Sequence, residues 1–169
     1  EITDAVGTTL DLHGTLEKVL QKLKVIFPSV IPYVFLYDEE ERTLELAEAS
    51  LSFFRIDNQE YHNITSLPLG GAGLPVRTAR RSIDYGESVF DIFPSVLSNP
   101  DYLPLRMGTR SQLNASLMSG DRRLLGVLVL ESSQENAFSE YDGHLIRGIA
   151  QQVSLAIERA SKNVQLRFK

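Results

Sequence analysis

The chain has 169 residues, 43% hydrophobic and 23% charged, with a net charge of −5. That length gives one domain able to bury a core, and the acidic balance argues against a general nucleic-acid binder, which needs a basic surface to displace counterions. No cysteine is present, which excludes disulfides, thiolate catalysis, thiol redox sensing, thioether-linked chromophores and cysteine-ligated zinc or iron–sulfur centres. No apolar run approaches the about 20 residues of a membrane span, and no secretory pattern is present. A cytoplasmic location fits, with no membrane partner for this domain. The sequence opens at Glu1 rather than Met and ends inside a helical pattern. It is therefore read as a piece of a longer protein, residues 1–169 forming one domain with its core at about 11–160.

Residues 1–10 are weakly patterned and read as a leader or the tail of an incoming helix. Asp11 is placed as the N-cap of a helix whose Leu12, Leu16, Val19, Leu20, Leu23, Ile26 and Phe27 share one face. Pro28 stops it. His13, in the first turn, reads as a solvated residue rather than a ligand. Val30 to Tyr37 is a strand rich in β-branched and aromatic residues, Asp38 to Arg42 a charged turn, and Leu44 to Ala49 the returning strand of an antiparallel hairpin. Residues 50–66 are the least legible: Phe53, Phe54 and Ile56 extend the strand in one reading, while Glu60 to Asn63 form a short helix or loop in another.

Leu67 to Gly73 is a strand end entering a glycine-rich turn. It lacks the Gly-Lys-Ser/Thr of a phosphate loop and reads as a turn needing positive φ and close backbone approach. Pro75 opens a helix running to about Arg80, with Ser82 to Tyr85 as another short strand. Residues 86–107 are too apolar for a linker and too broken by proline for one regular element. Long structured connections are often lids or binding loops, so this segment is the best pocket candidate. Ser111 to Met118 alternates, with Leu113, Ala115 and Leu117 on one face and Gln112, Asn114 and Ser116 on the other. The polar face either meets solvent or lines a cavity closed by 86–107. Leu124 to Leu130 reads as a strand buried on both faces. Ser139 with Asp142 resembles a capping box for a final helix. In it Leu145, Ile146, Ile149, Val153, Ala156, Ile157 and Ala160 recur at three- and four-residue steps.

Candidate ligand-binding residues follow from this layout. Tyr85, Phe90, Phe93 and Tyr102 supply aromatic walls of the kind pockets use, or else close the core over the sheet. Arg77, Arg106 and Arg110, with Arg80 and Arg81, offer guanidinium forks to an anionic ligand, or else form a solvated basic face. Asn114 and Ser116 are polar groups on a covered strand and need partners, which a ligand or water would supply. The glycosylation patterns at Asn63 and Asn114 read as chance. No His–Asp–Ser arrangement, metal-spaced histidine pair or apolar carboxylate pair appears, and Asp84, Glu87 and Asp91 read as a solvated loop, so the expectation is a domain that is not an enzyme and holds no metal.

Gly71-Ala-Gly-Leu74, Asn99-Pro-Asp-Tyr102, Arg110-Ser-x-Leu113, Leu125-Gly-Val-Leu128, Phe138-Ser-Glu-Tyr-Asp142 and the terminal run from Gln151 to Ala160 together resemble the GAF family of sensory domains, in the family's order, over roughly residues 10–162. The resemblance implies an α+β fold. A central, mostly antiparallel sheet of five or six strands would carry the terminal helices on one face, with short helices and a long loop over a pocket on the other. It also implies a regulatory domain of a signal-transduction protein. Such a domain would bind a small molecule and relay occupancy to a histidine kinase, cyclase, phosphodiesterase or transcription module, as in two-component systems, and dimerise through its terminal helices. A ligand-free dimerisation scaffold and a haem- or other cofactor-binding sensor are the alternatives; the cofactor and the ligand are unknown. Pro75 follows Leu74 directly where the family's turn is longer, and Ala115-Ser116 replaces the common Val-Pro. No Asn-Lys pair occurs and Gly143 replaces a Glu, which leaves cyclic nucleotides unsupported. Bilin-binding and methionine-sulfoxide-reducing members need cysteines that this chain lacks. On the last helix, Leu145, Ile149 and Ala156 are assigned to the sheet, leaving Ile146, Val153 and Ala160 for a partner helix in a homodimer.

Overall fold

A computed structural model describes residues 2–51 and 65–167, with side chains over 12–51 and 65–160. Helix α1 (Ile2–Ile26) leads into strands β1 (Val30–Asp38), β2 (Thr43–Leu46) and β3 (Ser66–Pro68). Helix α2 (Leu74–Tyr85), β4 (Phe90–Phe93), a 3-10 turn at Val96–Ser98, β5 (Ser111–Met118), β6 (Leu124–Ser132) and α3 (Glu140–Arg167) follow. The six strands form one antiparallel sheet in the order β3-β2-β1-β6-β5-β4. This is the α+β fold that the resemblance implied.

Strand alternation sorts the core onto two faces. Val34 of β1, Leu113, Ala115 and Leu117 of β5, and Leu128 and Leu130 of β6 face α1 and α3, where they meet Leu16, Leu20, Ile146, Val153 and Ile157. The intervening residues Tyr33, Phe35, Val127 and Val129 face α2, through Val76 and Ala79. β6 is apolar throughout its centre because it is covered on both sides. Each fully buried Leu or Phe here stabilises the fold by about 1.5–3 kcal/mol. At Gly126 the two central strands approach so closely that a Cβ would strike the Phe35 carbonyl.

Several sequence expectations are corrected. α1 begins at Ile2, so Asp11 lies within the helix rather than capping it. β2 ends at Leu46, and residues 48–51 are helical, held by the Val34 N–H donating to Ser50 Oγ at 2.8 Å. α2 runs to Tyr85, not Arg80, because its stop is Gly86. That residue takes φ 67° and donates its N–H to Ser82 O at 2.8 Å, the left-handed cap that a glycine adopts without a Cβ penalty. The next strand is therefore Phe90–Phe93 rather than Ser82–Tyr85. The readings made for Phe53, Phe54, Ile56 and Glu60 to Asn63 lie outside the described residues.

The capping box at α3 is present in both directions. The Ser139 N–H donates to Asp142 Oδ2 at 2.9 Å, and the Asp142 N–H to Ser139 Oγ at 3.2 Å. The assignment of α3 faces is corrected in part: Ile149 packs towards the sheet as expected. Ile146 and Val153, expected to meet a partner helix, are buried with Ala150 and Ile157 against the sheet. Those four lie at i, i+4, i+7 and i+11, one continuous stripe. Tyr141, Leu145 and Leu155 are exposed, while Ala156 and Ala160 are half-buried.

Candidate functional site

On the α2 face, β1, β6 and β5 lie side by side, and their registers bring one polar residue of each together. Gln112 stands opposite Glu131 across the β5–β6 ladder, and Tyr33 lies two positions along β1 from Ile31, the β1 partner of Glu131. Gln112 Nε2 donates to Glu131 Oε2 at 2.9 Å, Thr109 Oγ1 donates to Oε1 at 3.2 Å, and the Tyr33 hydroxyl is a third donor to the carboxylate. Glu131 is 1% exposed and Gln112 2%. A carboxylate removed from water this completely survives only among donors.

Burial pushes the Glu131 carboxyl above the usual carboxylate range, against the opposing pull of Tyr33, the positive charge of Arg106, Thr109 and Gln112. Burial, reinforced by the Glu131 charge, raises Tyr33 well above the normal phenol range. Tyr102 is pushed up to about 12 by burial and by Glu131. Beside these groups is a cavity of about 10 Å³, walled by Tyr33, Phe35, Leu74, Tyr102, Leu103 and Gln112. Two buried polar atoms of this region, Gln112 Oε1 and Arg106 Nε, have no hydrogen-bond partner.

The polar face of β5 meets neither solvent nor the cavity along most of its length; α2 covers it. Ser82 Oγ donates to Ser116 Oγ at 2.9 Å, and Ser116 Oγ accepts the Val89 N–H at 2.9 Å. Thr78 Oγ1 donates to Asp91 Oδ2 at 2.8 Å and accepts from Asn114 Nδ2 at 3.4 Å. Arg81 Nη2 pairs with Asp91 Oδ1 at 2.7 Å and donates to Phe90 O at 2.9 Å. Asp91 thus belongs to a half-buried network rather than to a solvated loop. Asn114 is fully buried, a position no glycan reaches.

The candidate ligand residues divide accordingly. Tyr102 and Arg106 join the Glu131 cluster. Phe93 packs with Leu74, Val96 and Tyr102 beside it, and Arg77 lies over the Phe93 ring at 5.7 Å while pairing with Asp101 at 3.7 Å. Arg110 is exposed and acts on Tyr102 through its charge. Asn114 and Ser116 fasten α2 instead of lining the cavity. Tyr85 is 63% exposed at the far end of α2, and Phe90 lies on the opposite face, against His144 and Gly143 of α3. Phe90 and Phe93 are three residues apart in one strand, which puts them on opposite faces. Tyr33, Thr109, Gln112 and Glu131 were missed. The available signal was a single charge closing the apolar run of β6, opposite a polar position of β5.

Among the described residues no cluster of three His, Asp or Glu is placed to hold a metal, and no helix is long and apolar enough to cross a membrane. His13 pairs with Glu17 at 3.1 Å and His144 stacks on Phe90; neither lines the cavity, and His62 lies outside the described residues.

No curated protein matches this sequence. Solved structures do match in fold. The type II free methionine-R-sulfoxide reductase of Thermoplasma acidophilum superposes with a TM-score of 0.69 at 18% identity, covering 88% of this chain and 93% of that one. The free methionine-R-sulfoxide reductase of Neisseria meningitidis, solved with its substrate, gives 0.68 at 20% identity over 89% and 80%. The GAF domain of an Acinetobacter phosphoenolpyruvate-protein phosphotransferase gives 0.67 at 18% identity over 95% and 94%. The two reductases correct the expectation that the chain is not an enzyme: chains of this fold carry out catalysis, so the fold does not exclude it. The absence of cysteine removes one chemistry and leaves others open. The family model for the GAF domain matches residues 9–158, nearly the whole of the described fold, and the chain belongs to the GAF domain family.

Proposed function

We propose that this GAF domain is a small-molecule sensor whose ligand enters the cavity between Tyr33, Gln112 and Tyr102, and whose occupancy is relayed through β6 to α3. The observation that carries the reading is the unpartnered carbonyl of Gln112. It is a buried acceptor on a residue that lines the cavity, left open by a side chain whose amide is already committed to Glu131. Such a group costs about 1–3 kcal/mol until a partner arrives. The connection from Leu97 to Met107 closes over the cavity, with Leu105 buried in the core, Tyr102 packed beside Phe93 and Asp101 paired with Arg77. It is the segment that a ligand displaces. The Neisseria reductase, solved with its substrate, supports the fold's capacity to hold a small molecule. Glu131 lies near the end of β6, and only residues 133–139 separate that strand from the capped start of α3, so a shift at the carboxylate has a short path to the exit helix. The attached output would be a signalling module of the kind the family serves. Thermal-shift and native-mass screening against a metabolite panel tests the reading; retained ligands or stabilising hits support it, and no hit across a broad panel refutes it.

A second reading concerns the terminal helices. α1 and α3 leave between them a groove of about 110 Å³ walled by Val19, Leu23, Ile149, Val153 and Ala156, with Leu155 exposed on α3. We infer that a second copy packs here, making the relay a homodimer. Sedimentation at increasing concentration checks it, and a monomer at every concentration contradicts it.

A further inference from the structure

We propose that the cavity takes a small primary ammonium compound with a short apolar body, held by the open carbonyl of Gln112 and the Glu131 carboxylate beside it. The proposal rests on the reading of this cavity as the ligand pocket and adds the chemistry of the guest and the device that admits it.

A carboxylate offers about four acceptor positions. Three are taken, by Tyr33, by Thr109 on Oε1 and by Gln112 on Oε2, and all three donors are neutral. The orientation of the Gln112 amide follows from this arrangement, because turning it over would set its oxygen against the Glu131 oxygen. Its carbonyl is therefore fixed as a second, unpartnered acceptor next to Glu131 Oε2. Two adjacent acceptors, one of them charged, match the three donors and compact charge of an ammonium group. The neighbouring walls Phe35, Leu67, Leu74 and Leu103 are apolar and suit an alkyl body.

The charged and titratable groups acting on Glu131 and its neighbours are Tyr33 from β1 and Tyr102, Arg106 and Arg110 from the connection. Arg106 is the cation whose charge reaches Glu131. It does so through space, with its Nε buried and without an acceptor, so it serves the carboxylate at the expense of its own solvation. A guest cation that bonds Glu131 and Gln112 directly satisfies both orphaned acceptor and acid, and frees Arg106 to return to water. The cavity of about 10 Å³ holds at most one water, so the guest enters only as the Tyr102–Arg106 stretch withdraws.

The test is titration of the whole chain with n-butylammonium, n-butanol and butyrate, followed by ligand-observed NMR. The ammonium should bind about tenfold or more tightly than the alcohol or the carboxylate. Arg106→Ala, which removes the tethered competitor, should tighten ammonium binding, and Glu131→Gln should abolish the preference. Gln112→Leu provides a second variant should Glu131→Gln fail to fold, and should weaken the ammonium about tenfold. Equal or tighter binding of butyrate, weaker ammonium binding in Arg106→Ala, or no ammonium binding to either wild type or Arg106→Ala overturns the proposal. A neutral or anionic metabolite that binds wild type and loses affinity in Gln112→Leu overturns it while leaving the pocket reading intact.

Discussion

Gln112 and Glu131 are cross-strand partners near the ends of β5 and β6, joined by a 2.9 Å bond from Nε2 to Oε2 that leaves the Gln112 carbonyl unmatched. The pair combines two properties seldom found together in a core. The acid is held by neutral donors and a remote cation, and its neighbour keeps one buried acceptor in reserve. Packing alone would favour apolar residues at both positions.

The first prediction concerns pH. Burial raises Glu131 in the folded chain, so the native state binds this proton more tightly than the unfolded chain does. The stability it contributes is complete below the unfolded value of about 4.3 and is lost as pH rises through the folded value. Glu131→Gln lacks that titration. Its urea midpoint relative to wild type should therefore increase from pH 4 towards neutrality, and a difference that stays flat or falls contradicts the assignment.

The tyrosines act at the alkaline end. Tyr33 and Tyr102 are both raised, Tyr102 to about 12. Stability from these hydroxyls is complete below about 10 and is lost as pH rises through the folded values. A tyrosinate absorbance titration should show a component near 12 that disappears in Tyr102→Phe. Its persistence in that variant would assign it elsewhere.

Gly126 allows β1 and β6 to meet, because a Cβ there would overlap the backbone of Phe35. Backbone cannot move aside as a flexible side chain can. Gly126→Ala should cost about 3 kcal/mol by chemical denaturation, whereas Gly148→Ala on α3, where a Cβ meets nothing within 4 Å, should be stabilising by up to about 1 kcal/mol.

At the start of α3, Ser139→Ala removes the acceptor for the Asp142 N–H. A loss of about 1 kcal/mol is expected, read as a lower midpoint with an unchanged denaturant slope.

How much of this was legible depends on whether the signal was local. The capping box was, since Ser139 and Asp142 are three residues apart and their types determine the bond. So were β1 and β6, whose continuous apolarity follows from cover on both faces, and β5 by its alternation, although its polar face is covered by α2. The length of α2 was misread because Ile83 and Tyr85 alternate as strand-favouring types, whereas the Ser82 hydroxyl bonds Ser116 across to β5. The partner-facing side of α3 was misjudged because Leu145, Ile146 and Ile149 fit two helical stripes equally well, and only the sheet chooses between them. The cavity residues were the least legible. Tyr33, Gln112 and Glu131 are distant in sequence and meet only through the order β1-β6-β5, which single-strand patterns do not specify.

The open carbonyl of Gln112 is the proposed point of contact with the ligand. The most direct measurement is calorimetric titration of a stabilising metabolite, found by the thermal-shift screen, into wild type and Gln112→Leu. Gln112→Leu should stay folded and lose about tenfold or more in affinity. Undiminished binding by the folded variant would contradict that contact.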